Sequence, residues 1–327
     1  MRALIKPIRP WTSSRGRKRM RGRRKTNESL IYLIVRAQRG MGYVLMKSAG
    51  PRVYVRGGGP GQMASRLKIE YIVEPDGTAL ARRTAQHFVD VTEHAATHRG
   101  RARIAVSGGG TPKAAFQLLA DPGQPWLRRM PWDRLDLFWV DERTVPPDHP
   151  ESNYRMTKEA MLDRVPLKPE QIHRMEGELE PEAAAARYEA LLRNTFRLEG
   201  AEAPRFDLIA LGMGDDGHTA SLFPHTAAIH EMGRLVTANQ VPQKDTWRIT
   251  LTWPVINQGS SVFFLIGGKN KAELVKEVFT GPRDPERLPS QLIRPASGIL
   301  TLILDRDAAA LLPATDGDGR GFFERER

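Results

Sequence analysis

Phe206-Asp207-Leu208-Ile209-Ala210-Leu211-Gly212-Met213-Gly214-Asp215-Asp216-Gly217-His218 reads as a short apolar strand that stops in a glycine-rich turn. Glycine at the strand tip lets the backbone reverse sharply where a side chain would obstruct it. Gly212 to Gly217 also matches G-x-G-x-x-G, the fingerprint of a dinucleotide site. That assignment fails here. Asp215 and Asp216 would repel a pyrophosphate, and Thr219-Ala220-Ser221-Leu222-Phe223-Pro224 breaks too soon for the helix such a site needs. What remains is a turn that presents His218 with an acid close by. Imidazole is matched to proton transfer near neutral pH, and an adjacent carboxylate can fix its tautomer. The alternative is a histidine satisfied by hydrogen bonds within its loop.

On either side the same pattern repeats. Short apolar runs at Arg103–Val106, Leu135–Val140, Phe206–Leu211, Ser261–Ile266 and Gly298–Leu304 alternate with helical stretches at Ala79–His94, Thr111–Leu119, Asn153–Leu162, Glu182–Arg197 and Lys271–Phe279. Such alternation predicts an α/β fold, a mostly parallel open sheet flanked by helices, Rossmann-like. Nothing repeats at a fixed period and no internal linker is rich in Pro, Gly or Ser, so residues 63–327 are expected to form one domain. Open α/β sheets bind ligands where loops converge at the carboxyl ends of their strands.

Those loops carry the chemistry. Ser107-Gly108-Gly109-Gly110-Thr111-Pro112 follows one strand and opens a helix. Its glycines can turn backbone amides toward one point, the helix N-terminus adds partial positive charge, and Pro112 suits the first helical position, where a missing N–H costs nothing. This is a phosphate-type anion site, or else a tight turn with Thr111 as N-cap. It lacks the Walker spacing. Asp141-Glu142-Arg143 ends a very apolar strand and is read as a loop: either a solvated loop start or a site. In the second case Arg143 clamps phosphate while Asp141 or Glu142 orients it or meets sugar hydroxyls. Lys269, after Gly267-Gly268, is a second cation for phosphate or a helix-entry residue. No G-x-S-x-G, H-E-x-x-H or cysteine is present, so covalent and zinc hydrolase chemistry is unsupported.

Composition narrows the class further. Of the 327 residues 40% are hydrophobic and 27% charged, enough to build a sizeable core. No apolar run approaches the roughly 18–20 residues that cross a bilayer as a helix. The absence of cysteine excludes disulfides and fits a reducing cytosol, so a cytoplasmic location is expected. The net charge of +12 divides into +15 from residues 1–62, with sixteen Lys or Arg against Glu28, and −3 from residues 63–327. The Arg15 to Lys25 run has no periodic apolar face and predicts disorder. The first 62 residues are read as a basic extension with three explanations: a nucleic-acid arm, a targeting segment, or translation that begins at Met63. The third is favoured, because Gly and some Arg codons are purine-rich and a Gly/Arg stretch ahead of Met63 reads as a translated ribosome-binding site. Nucleic-acid binding is not expected, since the arm lacks interleaved aromatics.

With those residues in view, the chain resembles the 6-phosphogluconolactonase family, within the glucosamine/galactosamine-6-phosphate isomerase superfamily. The resemblance rests on Ser107–Pro112, Asp141–Arg143 with Ser152-Asn153-Tyr154, and Gly212–Pro224. Arg248-Ile249-Thr250-Leu251-Thr252, Gly267-Gly268-Lys269 and Leu304–Ala309 are similar too. It spans roughly residues 65–312. Glucosamine-6-phosphate deaminases share the glycine turns but typically carry Asp-Glu-Tyr and Ile-Ala-Phe-Asn-Glu-Pro where this chain has Asp141-Glu142-Arg143 and Thr219–Pro224. Gly110 departs from the lactonase loop, where Ser is frequent, and Leu302 stands where an aromatic is common.

The resemblance implies hydrolysis of 6-phospho-D-glucono-1,5-lactone to 6-phosphogluconate, the second step of the oxidative pentose phosphate pathway. It implies His218 as general base oriented by Asp216 or Asp215. Ser107, Gly108, Gly109, Gly110, Thr111, Asp141, Arg143, Gly214 and Lys269 are then the expected substrate-binding residues, with no cofactor and no metal expected. The rivals are an amino-sugar phosphate deaminase and a non-catalytic sugar-phosphate regulator. The second would be supported by a helix-turn-helix pattern, and residues 1–62 show none.

Overall fold

The computed structural model describes residues 33–36, 43–46, 66–297 and 299–326. The chain divides into two units, residues 1–62 and 63–327. Of the first, the described part is one antiparallel ladder, β1 (Leu33–Arg36) against β2 (Tyr43–Met46). The Arg15 to Lys25 run and the Met63 start lie outside the described residues.

The second unit runs β3 (Arg66–Glu74), α1 (Gly77–Arg99), β4 (Ala102–Val106), α2 (Gly110–Leu119), α3 (Trp126–Arg129), β5 (Leu135–Trp139), β6 (Asp141–Arg143), α4 (Asn153–Ala160) and β7 (Ile172–His173). It continues α5 (Pro181–Phe196), β8 (Leu208–Leu211), β9 (Val236–Val241), β10 (Thr246–Leu251), α6 (Trp253–Asn257), β11 (Ser261–Ile266), α7 (Ala272–Thr280), β12 (Ile299–Asp305) and β13 (Arg320–Glu326). Among the described residues these strands form an eight-stranded sheet in the order β13-β3-β12-β11-β8-β4-β5-β7. All its pairings are parallel except β13 on β3. The mostly parallel α/β sheet read from the sequence is the fold.

The central strands of the sheet are largely apolar because both faces are covered. Ile104 and Val106 enter one core with Phe88 and Phe116 of α1 and α2, while Ala105 between them enters the other. On β11, Phe263 and Leu265 face the first core; Val262, Phe264 and Ile266 face the second, with Tyr188 of α5 and Phe279 of α7. Asp76 caps α1 through the Ala79 amide at 2.9 Å, and Gly100 ends it at φ 80°.

Topology sets the site. From β4 the chain builds outward through β5 to β7, then returns to lay β8 on the other side of β4 and continues through β11 to β12. The strand order therefore switches between β4 and β8, and a crevice opens there between the loops that follow them. Those are the two glycine loops.

Two features depart from the sequence reading. Asp141-Glu142-Arg143, expected as a loop, is the short strand β6, held by pairing with β10 in a separate antiparallel sheet ordered β6-β10-β9. The expected helix start at Lys271 is instead the end of a 3₁₀ turn, Lys269–Lys271, before α7.

His87 of α1 packs edge-on to Phe263, ring centroids 4.9 Å apart. Burial lowers its pKa from 6.5 to about 4; Asp90 opposes that shift and Arg83 adds to it. The native imidazole stays neutral where the unfolded one takes up a proton. Stability is therefore lost as pH falls from 6.5 toward 4, by up to about 3 kcal/mol. His87→Leu is expected to flatten that acid dependence, read from urea midpoints at pH 7.5 and 4.5; an unchanged slope would remove His87 as its source.

Candidate active site

One cavity of about 430 Å³ is walled by all the strand-tip loops singled out above. The β4 loop supplies Ser107 through Pro112. Gly109 sits at φ 111°, a left-handed conformation that favours glycine. Gly108 is required for a different reason: a Cβ there would lie 1.7 Å from Asn153 Oδ1. The chain thus reaches the N-terminus of α2 with its backbone close against α4. Ser107 Oγ is buried in the cavity wall and finds no hydrogen-bond partner among the described residues, a hydroxyl suited to a bound molecule.

The β6 residues separate into distinct roles. Asp141 is buried and lines the cavity, held by Ser221 Oγ at 2.7 Å on Oδ2 and by Asn153 Nδ2, which donates to its carbonyl at 3.0 Å. Glu142 turns the other way and caps α4. It accepts from the amides of Arg143, Asn153 and Tyr154 at 2.7–2.8 Å and from Ser152 Oγ at 3.1 Å. Burial pushes its carboxyl up in spite of those amides. Arg143 lines the cavity and donates to the Glu151 carbonyl.

Register then adds a residue that sequence reasoning gave no role. Arg248 on β10 pairs directly with Arg143, and both guanidinium groups belong to the cavity wall. Burial and the Arg143 charge pull the Arg248 pKa down from its ordinary value, the cost of gathering like charges where no carboxylate neutralises them fully. Such a pair is matched to a dianion.

At the β8 tip, Asp216 Oδ1 lies 2.5 Å from His218 Nδ1 and also accepts the His218 amide at 3.1 Å. Burial alone would raise the Asp216 carboxyl. The bonds to His218, that ring's charge and backbone amides overcome it and hold the carboxyl down at about 2. Asp216 stays ionised at any working pH and keeps the Nδ1–H tautomer, leaving Nε2 for chemistry. Phe223 stacks on the imidazole, ring centroids 4.0 Å apart. Asp215 is engaged elsewhere: it pairs with Lys271, whose ammonium also donates to the Met213 carbonyl at 2.9 Å. Of the two acids that the sequence left open, the one beside the imidazole is Asp216.

Lys269 is exposed and outside the cavity wall, whereas Lys271 and Lys244 are in it. Gly214 lines the cavity against the His218 ring. Asn153, Ser221 and Phe223, none of them assigned from the sequence, complete the wall.

A glycine nest, two arginines and a carboxylate-held imidazole around one small polar cavity can hold an anionic sugar and pass a proton. Comparison with known proteins agrees with that chemistry. The family model described as glucosamine-6-phosphate isomerases/6-phosphogluconolactonase matches residues 75–302. The chain belongs to this family. A 6-phosphogluconolactonase of Nostoc sp. is 42% identical over 240 residues, covering 73% of this chain and 95% of that relative. One from Synechocystis sp. is 44% identical over 216 residues, covering 65% and 86%. The solved structure of 6-phosphogluconolactonase from Trypanosoma cruzi superposes with a TM-score of 0.65 at 29% identity, covering 75% of this chain and 97% of that one. Both halves of the glucosamine-6-phosphate isomerase/6-phosphogluconolactonase description name a sugar carrying a 6-phosphate, and phosphate is the group for which the nest and the arginine pair are chemically suited.

Proposed function

We propose that this chain is an enzyme that hydrolyses 6-phospho-D-glucono-1,5-lactone to 6-phosphogluconate, the second step of the oxidative pentose phosphate pathway. The observation that carries the reading is the His218–Asp216 pair in the wall of a cavity whose other loops are cationic or amide-rich. The Gly108–Thr111 amides, Arg143, Arg248 and Lys271 hold the phosphate, and Asp141 meets ring hydroxyls. His218 Nε2 draws a proton from water as the oxygen adds to the lactone carbonyl. The ring C–O bond then breaks, and the imidazolium returns the proton to the ring oxygen. An activated ester needs no more than a positioned base and anchoring of the phosphate. The reading includes a cytoplasmic location. No helix among the described residues is long and apolar enough to cross a membrane.

The test generates lactone with glucose-6-phosphate dehydrogenase and follows its disappearance above the spontaneous rate. Ammonia release from glucosamine 6-phosphate with no lactone turnover would assign the deaminase chemistry instead. In the same assay Arg143→Ala is expected to raise KM about tenfold or more, the worth of one charge-assisted contact, with kcat changed much less. A collapse of kcat at unchanged KM would place Arg143 at the reacting carbon rather than on the phosphate.

A further inference from the structure

The four cations of the cavity wall are not equivalent. Arg143 is tied to the Glu151 carbonyl, Arg248 to Thr246 Oγ1 and the Trp247 carbonyl, and Lys271 to the Met213 carbonyl and Asp215. Lys244, on the turn that follows β9, has no such tie among the described residues. Its ammonium lies over the ring of Phe223, 5.8 Å from the centroid, and Phe223 is the ring stacked on His218. Lys244 is therefore an uncommitted cation on the imidazole side of the cavity, reached through a single aromatic ring.

Hydrolysis creates charge on that side. As water adds to the lactone carbonyl its oxygen becomes anionic. When the ring C–O bond breaks, the ring oxygen leaves as a hydroxyl and the new acid loses a proton, so a neutral ester carbon becomes a carboxylate. Phosphate sits at the other end of the sugar, and the glycine nest and the arginine pair already suffice for it.

Resting on the lactonase reading, we propose that Lys244 is the residue that binds this second anion, the oxyanion as it forms and the product carboxylate afterwards. A flexible ammonium suits a charge absent from the substrate and present in the product. Held on an aromatic face it costs little to release, since such contacts are weak at exposed positions. Differential attraction of this kind accelerates the step, because it is stronger in the transition state than in the ground state.

Two ligands that differ only at carbon 1 test the assignment. 6-Phosphogluconate carries a carboxylate there and glucitol 6-phosphate a hydroxymethyl group, with the same phosphate. Calorimetric binding of both is compared for the wild-type chain, Lys244→Gln and Lys244→Arg. The wild type is expected to favour 6-phosphogluconate. Lys244→Gln is expected to bind it about tenfold more weakly while keeping its affinity for glucitol 6-phosphate, and Lys244→Arg to restore the preference. The preference should also shrink as salt rises. Equal weakening of both ligands, or of neither, overturns the proposal. A wild-type chain that neither turns over lactone nor binds 6-phosphogluconate would instead remove the lactonase reading on which it rests.

Discussion

His218→Ala is expected to lower kcat for the lactone by about 10²–10⁴-fold, the usual contribution of a positioned general base. Binding of 6-phosphogluconate should change only a few fold, because the nest, the arginine pair and Lys271 do not depend on the imidazole. The ring lies at the edge of the core, stacked on Phe223 and held at Nδ1, so its removal should leave the fold intact by circular dichroism. Asp216→Asn should lose part of the same factor, since an amide can no longer accept and fix the Nδ1–H with a full charge. The Asp216 carboxyl titrates near pH 2, so any acid limb of the wild-type rate above about pH 4 belongs to another group. A near-normal kcat for His218→Ala would end the proposed mechanism, though not the family membership.

The sequence made the parallel sheet legible for a specific reason. Strand segments such as Leu208–Leu211 and Val262–Ile266 are covered on both faces and therefore read as unbroken apolar runs. Their tips were legible because glycine is costly in a strand and common where the chain must turn close to a ligand. The β6-β10-β9 sheet was not. β6 is three charged residues, and Val236–Val241 carries Thr, Asn and Gln where a strand signal would want apolar groups. What makes these segments strands is their pairing, and pairing is not local in sequence. Arg248 was missed for that reason: only the register sets it opposite Arg143. Of the two readings of Lys269, a second phosphate cation or a helix-entry residue, the geometry favours the second and puts Lys271 in the cavity wall. In a 3₁₀ turn residues two apart face different ways, so the first lysine points to solvent and the second enters the wall. Adjacent acids pose the same problem. Nothing in Asp215-Asp216 distinguishes them until the turn gives one to Lys271 and the other to His218.

Gly214→Ala should be nearly as damaging as removal of the imidazole itself, and by a route that the site geometry alone supplies. A Cβ at 214 would stand 2.1 Å from both Cε1 and Nδ1 of His218, and 2.9 Å from Asp216 Oδ1. Nδ1 and Oδ1 are the two ends of the hydrogen bond that orients the ring. The new methyl cannot share that space, so the imidazole must swing off Asp216, losing both its fixed tautomer and its place beside the substrate. A displacement of about 1 Å at a reacting group can cost about 10²-fold, and kcat is expected to fall by that much or more while KM moves little. Gly214 is not among the glycines at positive φ, so alanine meets no backbone penalty there and thermal stability should change little. Gly217→Ala makes the opposite case. With φ at 80° and Leu288 Cδ2 2.7 Å from the added carbon, it strains the backbone and the packing together and should lower the melting temperature as well as the rate. If Gly214→Ala kept its kcat, the ring would be free to work from another position, and the Asp216 bond would not be what prepares His218 for catalysis.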